Sequence, residues 1–316
     1  MPDYKFLQRV FLGDGNDALI TSSGSSAILG IVDGYLGETK ISGLAEGITA
    51  TGGTITYADG YVYHTFTSSG DFTITRNADI PEYQDISVFL VGGGGTGGAQ
   101  GAGSTEGSGG GGGRVVTLTG ANADDLGLST PYSVTVGLGA GASDVSGSAS
   151  SVFGHTAPGG GSGRTGDTGD GYPGGSGGGG ARPSGTSPTA GGTQISGSSD
   201  SPVTGTIALN LGSDGGVGIN NALADPDIKY AGGGGGASSI PIPDYSSGTA
   251  YATTAWNAAN EFISYSGGGL GRDSTPFYEA PAGPGRGGNG NAATGGRTNG
   301  TDGIVVIKYF NPTYQA

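Results

Sequence analysis

The chain has no cysteine among its 316 residues, which excludes a disulfide scaffold and any zinc site that uses cysteine ligands. It also has no apolar run near the roughly 18 residues that a membrane-spanning helix needs. Its start, MPDYKFLQRVFLGDGNDALI, has no apolar segment behind a basic stretch, so we expect no cleaved export signal.

Basic residues are scarce. The 12 lysines and arginines stand against 26 aspartates and glutamates, for a formal net charge of −14 at pH 7. They are isolated along the chain, whereas binding to a phosphate backbone needs a basic stripe. We therefore expect no nucleic-acid partner, and the acidic balance favours solubility.

Helical periodicity is nearly absent. Only the segment GTAYATTAWNAANEFISYS, with Tyr251, Ala255, Ala259 and Phe262 at helical spacing, predicts a helix. Other segments alternate apolar with polar residues or are rich in β-branched residues, which predicts strands. They are YVYHTFTS, DFTI, ISVFLVG, RVVTLTG, YSVTVGLG, SSVFG, TGTIALNLG and GIVVIKYF.

In the segment YVYHTFTS, the alternation places Val62, His64 and Phe66 on one face of a strand. The residues Ser69 and Gly70 that follow predict a tight turn, and therefore a hairpin from this strand to the next one. Together with the absence of helical pattern, these strands predict an all-β fold.

Glycine dominates what is present: it accounts for 74 of the 316 residues, while only 33% are hydrophobic. Because glycine adds no side chain to a core, stability has to come from backbone hydrogen bonds or from partner chains. The glycine tracts lie between predicted strands, at residues 92–113, 158–180, 191–199, 231–237, 266–271 and 282–300.

Glycine-rich sequence is typical of disordered linkers, of collagen or of packed polyproline II helices. Collagen is excluded because the Gly-X-Y period lasts for only three triplets from Gly163, in GRTGDTGDG. Polyproline II helices have no internal hydrogen bonds, but glycine lets their backbones approach closely enough to bond one another. Because the tracts are bracketed by strands, we predict an ordered bundle, with disordered linkers as the alternative.

Six sequence blocks, in a fixed order, resemble a known family. They are YHTFTSSGDFTI, ISVFLVGGGGTGG, GRVVTLTG, YSVTVGLGAGAS, SASSVFGHTAPGGGSG and GTDGIVVIKY. Over residues 57–310 the chain resembles the glycine-rich domain of phage tail-fibre and tail-tip proteins, which has a distant version in the extracellular part of some receptor tyrosine kinases. The lack of cysteine and of a membrane span favours the phage version.

The resemblance implies a small antiparallel β-sandwich base that carries a bundle of polyproline-II-like glycine helices, with loops at the far end for receptor recognition. Residues 1–50 form a predicted N-terminal attachment segment, and residues 51–316 form the glycine-rich domain. Residues 237–266 match none of the family blocks, so we interpret them as an aromatic insertion.

The function that this resemblance implies is that of a virion structural protein of a tailed phage. As a tail fibre or tail-tip adhesin, it would bind a host-surface glycan or outer-membrane protein, while residues 1–50 would bind other virion structural proteins. We expect a homo-oligomer, and a trimer is the first hypothesis for its oligomeric state. The alternatives are a non-binding component of a capsid decoration, fibre or baseplate, and an enzyme that degrades surface polysaccharide.

Candidate receptor contacts come from the far-end turn of the first tract and from aromatic residues. The turn AQGAGSTEGS contains Gln100, Ser104, Thr105 and Glu106. Flat rings beside polar residues suit sugar rings or protein epitopes. The aromatic candidates are Tyr245, Tyr251, Trp256, Phe262 and Tyr265 in the insertion, and Phe277 and Tyr278 in the loop GRDSTPFYEAP. The alternative is that these rings form a small core beneath a loop.

Neither a catalytic nor a cofactor site is predicted. His64 and His155 lie in strand-like blocks and form no recognisable triad with a serine and an aspartate. The lysines do not form the Gly-Lys-Ser/Thr run of a phosphate loop. We therefore expect no enzymatic activity and no cofactor.

Calcium is only a weak candidate ligand. The segment LGDGNDAL, with Asp14 and Asp17, matches one copy of a motif that binds calcium in stacked repeats. The segment GDTGDG offers Asp167 and Asp170 in the same way. Single copies favour ordinary turns, so we predict no metal site.

Overall fold

The computed structural model describes most of the chain from residue 46 onward. The described residues are 46–99, 107–166, 169–181, 190–199, 205–215, 219–220, 229–230, 234–237, 249–271, 283–290 and 296–314, with the N-terminal strand residues 9–11, 17–19, 34–35 and 40–41. Each regular element in these ranges is a β-strand or a short 3-10 turn, and the strands pair antiparallel. The predicted all-β fold is confirmed.

The strands are numbered along the chain. They are β1 (Arg9–Phe11), β2 (Asp17–Leu19), β3 (Gly34–Tyr35), β4 (Lys40–Ile41), β5 (Thr49–Thr51), β6 (Thr54–Ala58), β7 (Tyr61–Phe66), β8 (Gly70–Arg76), β9 (Asp85–Val91), β10 (Val115–Asn122), β11 (Pro131–Val134), β12 (Ser150–Val152), β13 (His155–Ala157), β14 (Ser198–Ser199), β15 (Thr206–Leu211), β16 (Ile219–Asn220), β17 (Lys229–Tyr230), β18 (Tyr251–Thr253), β19 (Ile263–Tyr265) and β20 (Ile304–Phe310). The 3-10 turns are Pro81–Tyr83, Ala123–Asp125 and Pro312–Tyr314.

A six-stranded antiparallel sheet, in the order β15-β10-β9-β20-β7-β6, is the largest sheet in the described residues. Its apolar residues alternate between two faces, because successive side chains of a strand point in opposite directions. Val62 of β7 and Leu90 of β9 belong to a buried cluster on one face, while Tyr63 and Phe89 belong to a second cluster on the other. Both faces of the sheet are therefore covered.

The first face packs against the three-stranded sheet β11-β8-β5 and against β12 and β13. Phe72 and Ile74 of β8, Val134 of β11 and Val152 of β12 share one buried cluster with Val305 of β20. Burial of a large apolar side chain contributes about 1.5–3 kcal/mol. This cluster is therefore the main apolar source of stability in the described part of the chain.

The strands β7 and β8 are consecutive but belong to different sheets, so the predicted hairpin through Ser69 and Gly70 is wrong. The chain crosses between the sheets at this point because Phe66 and Phe72 both enter the cluster that the two sheets enclose. The hairpin that does form joins β6 to β7 through Asp59 and Gly60. Their φ angles of 50° and 77° match the turn type that favours an Asp-Gly pair.

The second face of the six-stranded sheet is covered by residues 249–266, which contain β18 and β19. The predicted helix in this segment is wrong. Tyr251 pairs with Tyr265 across the two strands, and this pairing brings Tyr265 onto Phe89 with Trp256 beside it. The packing of these rings on the sheet overrides a weak helical pattern, whose spacing would have buried Phe262 instead.

The glycine tracts form backbone hydrogen bonds with a period of three residues. The first tract leaves β9 at Gly92, and its amides donate in turn to three different neighbouring segments. Gly92, Gly95 and Gly98 donate to the carbonyls of Arg114, Gly111 and Ser108; Gly93 and Thr96 donate to those of Ser148 and Val145; Gly94 and Gly97 donate to those of Thr301 and Thr298. Each step of three along the donor tract is a step of three along the acceptor.

The carbonyls of the same tract accept hydrogen bonds from further segments. Those of Gly93, Gly94, Gly95 and Thr96 accept from the amides of Gly160, Ala140, Gly288 and Gly163. The donor–acceptor distances for the whole tract lie between 2.7 and 3.4 Å. These bonds satisfy backbone groups that neither a helix nor a sheet would otherwise pair.

Close approach of the backbones explains why these positions are glycine. A Cβ on Gly94 would lie 1.8 Å from the carbonyl oxygen of Arg286, and one on Gly111 would lie 2.1 Å from that of Ser176. The residues of the tracts other than glycine are mostly small and polar, and their side chains also hydrogen-bond the backbone. The Thr96 hydroxyl, for example, donates to the Ala142 carbonyl at 2.9 Å.

Arg114 joins the six-stranded sheet to the tracts. Its guanidinium donates to the Asn210 side chain at 2.6 Å, the Asn210 carbonyl at 2.6 Å, the Gln194 side chain at 2.7 Å and the Gly175 carbonyl at 3.3 Å. These four acceptors are neutral, and burial lowers the pKa of Arg114 because it disfavours the charged form. The edge strand β15 and the second tract are thereby held to one side chain.

We expect Gly94→Ala to destabilise the fold by about 3 kcal/mol or more, because the added carbon overlaps a carbonyl and displaces buried hydrogen bonds. Gly296→Ala is the matched control, since a Cβ there meets no atom within 4 Å. Its expected effect is within about 1 kcal/mol of zero. Thermal unfolding followed by circular dichroism measures both, and equally small effects would contradict close packing of the tracts.

His155 predicts a pH dependence of stability. It is 1% exposed, and neither ring nitrogen has a hydrogen-bond partner in the described part of the chain. Burial lowers its pKa from 6.5, so the unfolded chain binds a proton that the folded chain does not. The free energy of unfolding should therefore fall as pH drops below about 6.5, by up to about 1.4 kcal/mol per pH unit.

Urea unfolding at about pH 7, 6 and 5 tests this expectation, with His155→Leu as the comparison. The variant should lose less stability on acidification than the unmodified chain. His64, whose pKa burial also lowers, is present in both proteins and so cancels from the difference. The same pH slope in both proteins would refute the role of His155.

Candidate functional site

Ala99, Ser108, Asp144, Arg164 and Thr165 are joined by hydrogen bonds, and together with Tyr172 they form what we call the distal group. The first tract leaves the sheet after Val91 and returns to it at Val115, so Ala99 and Ser108 lie near its midpoint, far from the sheet along the chain. The predicted contacts Gln100, Ser104, Thr105 and Glu106 lie outside the described residues.

The members of the distal group are joined through polar side chains. The Ala99 amide donates to the Thr165 hydroxyl at 3.0 Å, and the Ser108 hydroxyl donates to the Arg164 carbonyl at 3.0 Å. The Thr165 amide donates to the Asp144 carboxylate at 2.9 Å. The outgoing and returning arms of the first tract are thus both anchored to the segment 164–165.

Arg164 is the chemically most distinctive residue of this distal group. Its guanidinium lies over the Tyr172 ring, 5.2 Å from the centroid, and donates a hydrogen bond to the Tyr172 hydroxyl. Its Nε is buried without a hydrogen-bond partner in the described part of the chain. Asp170, one of the weak calcium candidates, is exposed nearby in sequence, and its carboxylate accepts from the Ala190 amide at 2.8 Å.

Arg164, Tyr172 and Asp144 are not among the site residues predicted from the sequence. A signal was available, because Arg164 and Tyr172 flank the turn-like segment TGDTGDG within a tract of small residues. A guanidinium, an aromatic ring, a hydroxyl and carboxylates that lie close together can bind a polyhydroxylated or anionic ligand.

The aromatic residues of the insertion divide into buried and exposed rings. Trp256 is 7% exposed and Tyr265 is 1% exposed. Trp256 stacks on Phe89 with centroids 5.2 Å apart, and Tyr265 meets Phe89 edge-on at 4.8 Å. Burial raises the pKa of Tyr265 to about 12. These two rings belong to the core of the second face, and Tyr251 packs against it.

Lys308 covers Trp256 from β20. Its Nζ lies 4.5 Å from the Trp256 ring centroid and 5.5 and 5.8 Å from those of Tyr61 and Tyr63. The same ammonium donates to the Ala255 carbonyl at 3.0 Å. Desolvation lowers the pKa of Lys308. Cation–π contacts of this kind stabilise by about 0.5–2 kcal/mol, so Lys308 helps to hold the segment on the sheet.

Phe262 is the ring of the insertion that is accessible in the described residues, with 81% of its surface exposed. A constrained turn presents it. The Asn257 side chain accepts from the Glu261 amide at 3.0 Å and donates to the Glu261 carbonyl at 2.8 Å. Asn260 has a φ of 54°, in the left-handed region that asparagine tolerates. Phe262 is therefore a solvent-facing apolar group on an ordered turn.

Other predicted site residues lie outside what the structure describes. Tyr245, Phe277, Tyr278, Asp14 and Asp167 fall in these parts of the chain, and only the backbone of Asp17, in β2, is described. In the described ranges, no group of three or more histidine, cysteine, aspartate or glutamate residues could hold a metal ion. The same ranges contain no helix long and apolar enough to cross a membrane.

Both ring nitrogens of His64 lie within hydrogen-bond distance of protein oxygens. Its Nδ1 lies 2.8 Å from the Gly52 carbonyl oxygen and its Nε2 lies 3.0 Å from the Tyr309 hydroxyl. Tyr309 and His64 are both almost fully buried, and burial lowers the pKa of His64. His64 thereby bridges Tyr309 of β20 and the corner between β5 and β6.

Comparison with known proteins gives one family match. No curated protein matches the chain. The model of a glycine-rich domain family matches residues 66–310, about three quarters of the chain, from the last residue of β7 to the end of β20. The matched residues contain strands β9, β10, β15 and β20 of the six-stranded sheet and the tracts described above. The chain belongs to this glycine-rich domain family.

Proposed function

We propose that the chain is a virion structural protein of a tailed phage, a tail fibre or tail-tip adhesin. In this role the packed tracts carry a receptor-binding surface at their distal end. The observation that carries the proposal is the three-residue period of the hydrogen bonds between tracts, because it makes them a rigid support rather than flexible linkers.

In this proposal the tracts are polyproline-II-like helices. Such a helix has three residues per turn and directs successive backbone groups to three sides. The shared step of three along donor and acceptor tracts fits this geometry, as does the absence of positive φ angles from residues 92–98. A second tract supports the same interpretation, since Gly161 and Arg164 donate to Ser176 and Gly179.

The base of the bundle in this proposal is a β-sandwich. Support comes from the buried cluster that contains side chains of both the six-stranded sheet and the sheet β11-β8-β5. Residues 1–50 are proposed to attach this base to other virion proteins. Several copies acting together would strengthen binding without tight binding by any one of them.

The proposed ligand is a glycan or protein of the host surface. The distal residues Arg164, Tyr172 and Asp170 offer charge, an aromatic ring and hydrogen-bond partners. Phe262 offers a second contact on the ordered turn beside β19. Because Trp256 and Tyr265 pack in the core, the receptor role proposed for the insertion depends on its exposed residues.

A competition assay tests this function: purified chain is added to host cells before the phage, and phage adsorption is measured. We expect the unmodified chain to inhibit adsorption, and Arg164→Ala or Phe262→Ser to inhibit about 30-fold less well, as loss of a contact worth about 2 kcal/mol would require. Leu138→Ser is the matched control, because Leu138 is 64% exposed and is not among the proposed contacts.

Inhibition by the two variants equal to that of the unmodified chain would exclude Arg164 and Phe262 as contacts. If the unmodified chain does not inhibit adsorption and antibodies against it label the capsid or baseplate, the adhesin role is excluded and the structural role is favoured. That alternative draws support from the packing of Trp256 and Tyr265, because these rings then stabilise the domain and leave fewer for a receptor.

A further inference from the structure

The strand β6 has one open edge. It is the terminal strand of the six-stranded sheet, and β7 pairs with one of its sides. Within the described ranges, no strand pairs with its other side. Thr54, Thr56 and Tyr57 are exposed, and Tyr57 retains 49% of its surface.

The register identifies which backbone groups are free. Ala58 and Tyr61 flank the two-residue turn, and residues in that position exchange both of their hydrogen bonds. Because bonded and non-bonded pairs alternate along an antiparallel ladder, Thr54, Thr56 and Ala58 bond to β7. The N–H and C=O groups of Ile55 and Tyr57 therefore point away from the sheet.

This edge lacks the features that usually prevent strands from pairing between molecules. Natural edges carry charges, proline or bulges. The β6 sequence, TITYA, contains no charged residue and no proline, and its register with β7 is continuous over five pairs. The opposite edge differs: β15 has a register shift in its pairing with β10, and its Asn210 side chain accepts from the Gly197 amide at 3.1 Å.

We propose that β6 pairs antiparallel with β6 of a second copy of this chain, about a two-fold axis at Thr56. Ile55 of each copy then faces Tyr57 of the other, and the outward amides and carbonyls of these residues form four hydrogen bonds. An aromatic residue opposite a β-branched one is a favourable cross-strand pair. Tyr57 stacks on Tyr314 at 4.2 Å, which holds its ring beside the edge.

Charge is compatible with this contact. The chain has a formal net charge of −14, so an interface between two copies has to avoid facing carboxylates. No charged side chain lies on β6 itself. In the proposed register, Asp59 of one copy faces Gly53 of the other, which brings no two acidic residues into opposition. This contact is independent of the proposed phage role and goes beyond it.

Hydrogen exchange on the unmodified full chain gives a residue-level test. We expect the amides of Ile55 and Tyr57 to become protected as the protein concentration rises, in step with dimer formation measured by sedimentation velocity. The amides of Thr54, Thr56 and Ala58 should be protected at every concentration, because they bond to β7. Rapid exchange of Ile55 and Tyr57 in a sample that is dimeric or larger would overturn the proposal, as would a chain that stays monomeric throughout the series.

Charge substitutions test the two-fold axis. Thr56→Lys puts two like charges opposite each other and should weaken dimerisation about fivefold or more, and Thr56→Glu should do the same. An equal mixture of the two variants should dimerise again. Thr206→Lys, at an exposed threonine of the opposite edge strand β15, should leave dimerisation unchanged.

Circular dichroism confirms that each variant is folded, and the exchange experiment on the unmodified chain needs no variant at all. Failure of the mixed variants to associate, or equal weakening by Thr206→Lys and Thr56→Lys, would overturn pairing through β6.

Discussion

Backbone hydrogen bonding between tracts is the interaction on which the rest of this structure depends. It requires that neighbouring backbones approach to a distance at which a Cβ would overlap a carbonyl oxygen, as at Gly94. Glycine satisfies that requirement, and its conformational entropy cost is offset by bonds that each tract forms with several neighbours. A chain with few apolar residues can thereby extend an ordered structure well beyond its apolar core.

The six-stranded sheet is covered on both faces, and this coverage determines which of the aromatic side chains remain exposed. The first face is closed by β8, β11 and β12, and the second is closed by the aromatic insertion. Trp256 is enclosed between Phe89 and Lys308. Among the described aromatic rings of the insertion, Phe262 is therefore the one exposed on an ordered turn, while Arg164 with Tyr172 supplies a second group of polar and aromatic side chains.

The same arrangement accounts for where sequence reasoning succeeded and where it was wrong. Alternation identified β7, β9, β10 and β20 because a strand that is buried on a sheet repeats every two residues. The hairpin after β7 was wrong because Ser69 and Gly70 are compatible with a turn between strands of one sheet or of two. The helix at 251–262 was wrong because the position of Phe89, which is distant in sequence, decides the packing of Trp256 and Tyr265.

For this protein, the sequence alone determined the all-β class, the positions of most strands and the requirement for close backbone packing, since strand alternation and glycine content are local properties. The tertiary structure decided which strands share a sheet, which tracts bond to each other and which aromatic rings remain exposed. Those outcomes depend on contacts between residues far apart in the chain, such as Arg114 with Asn210 and Gly94 with Thr301. No local pattern specifies such partners, because any glycine tract can in principle pack against any other.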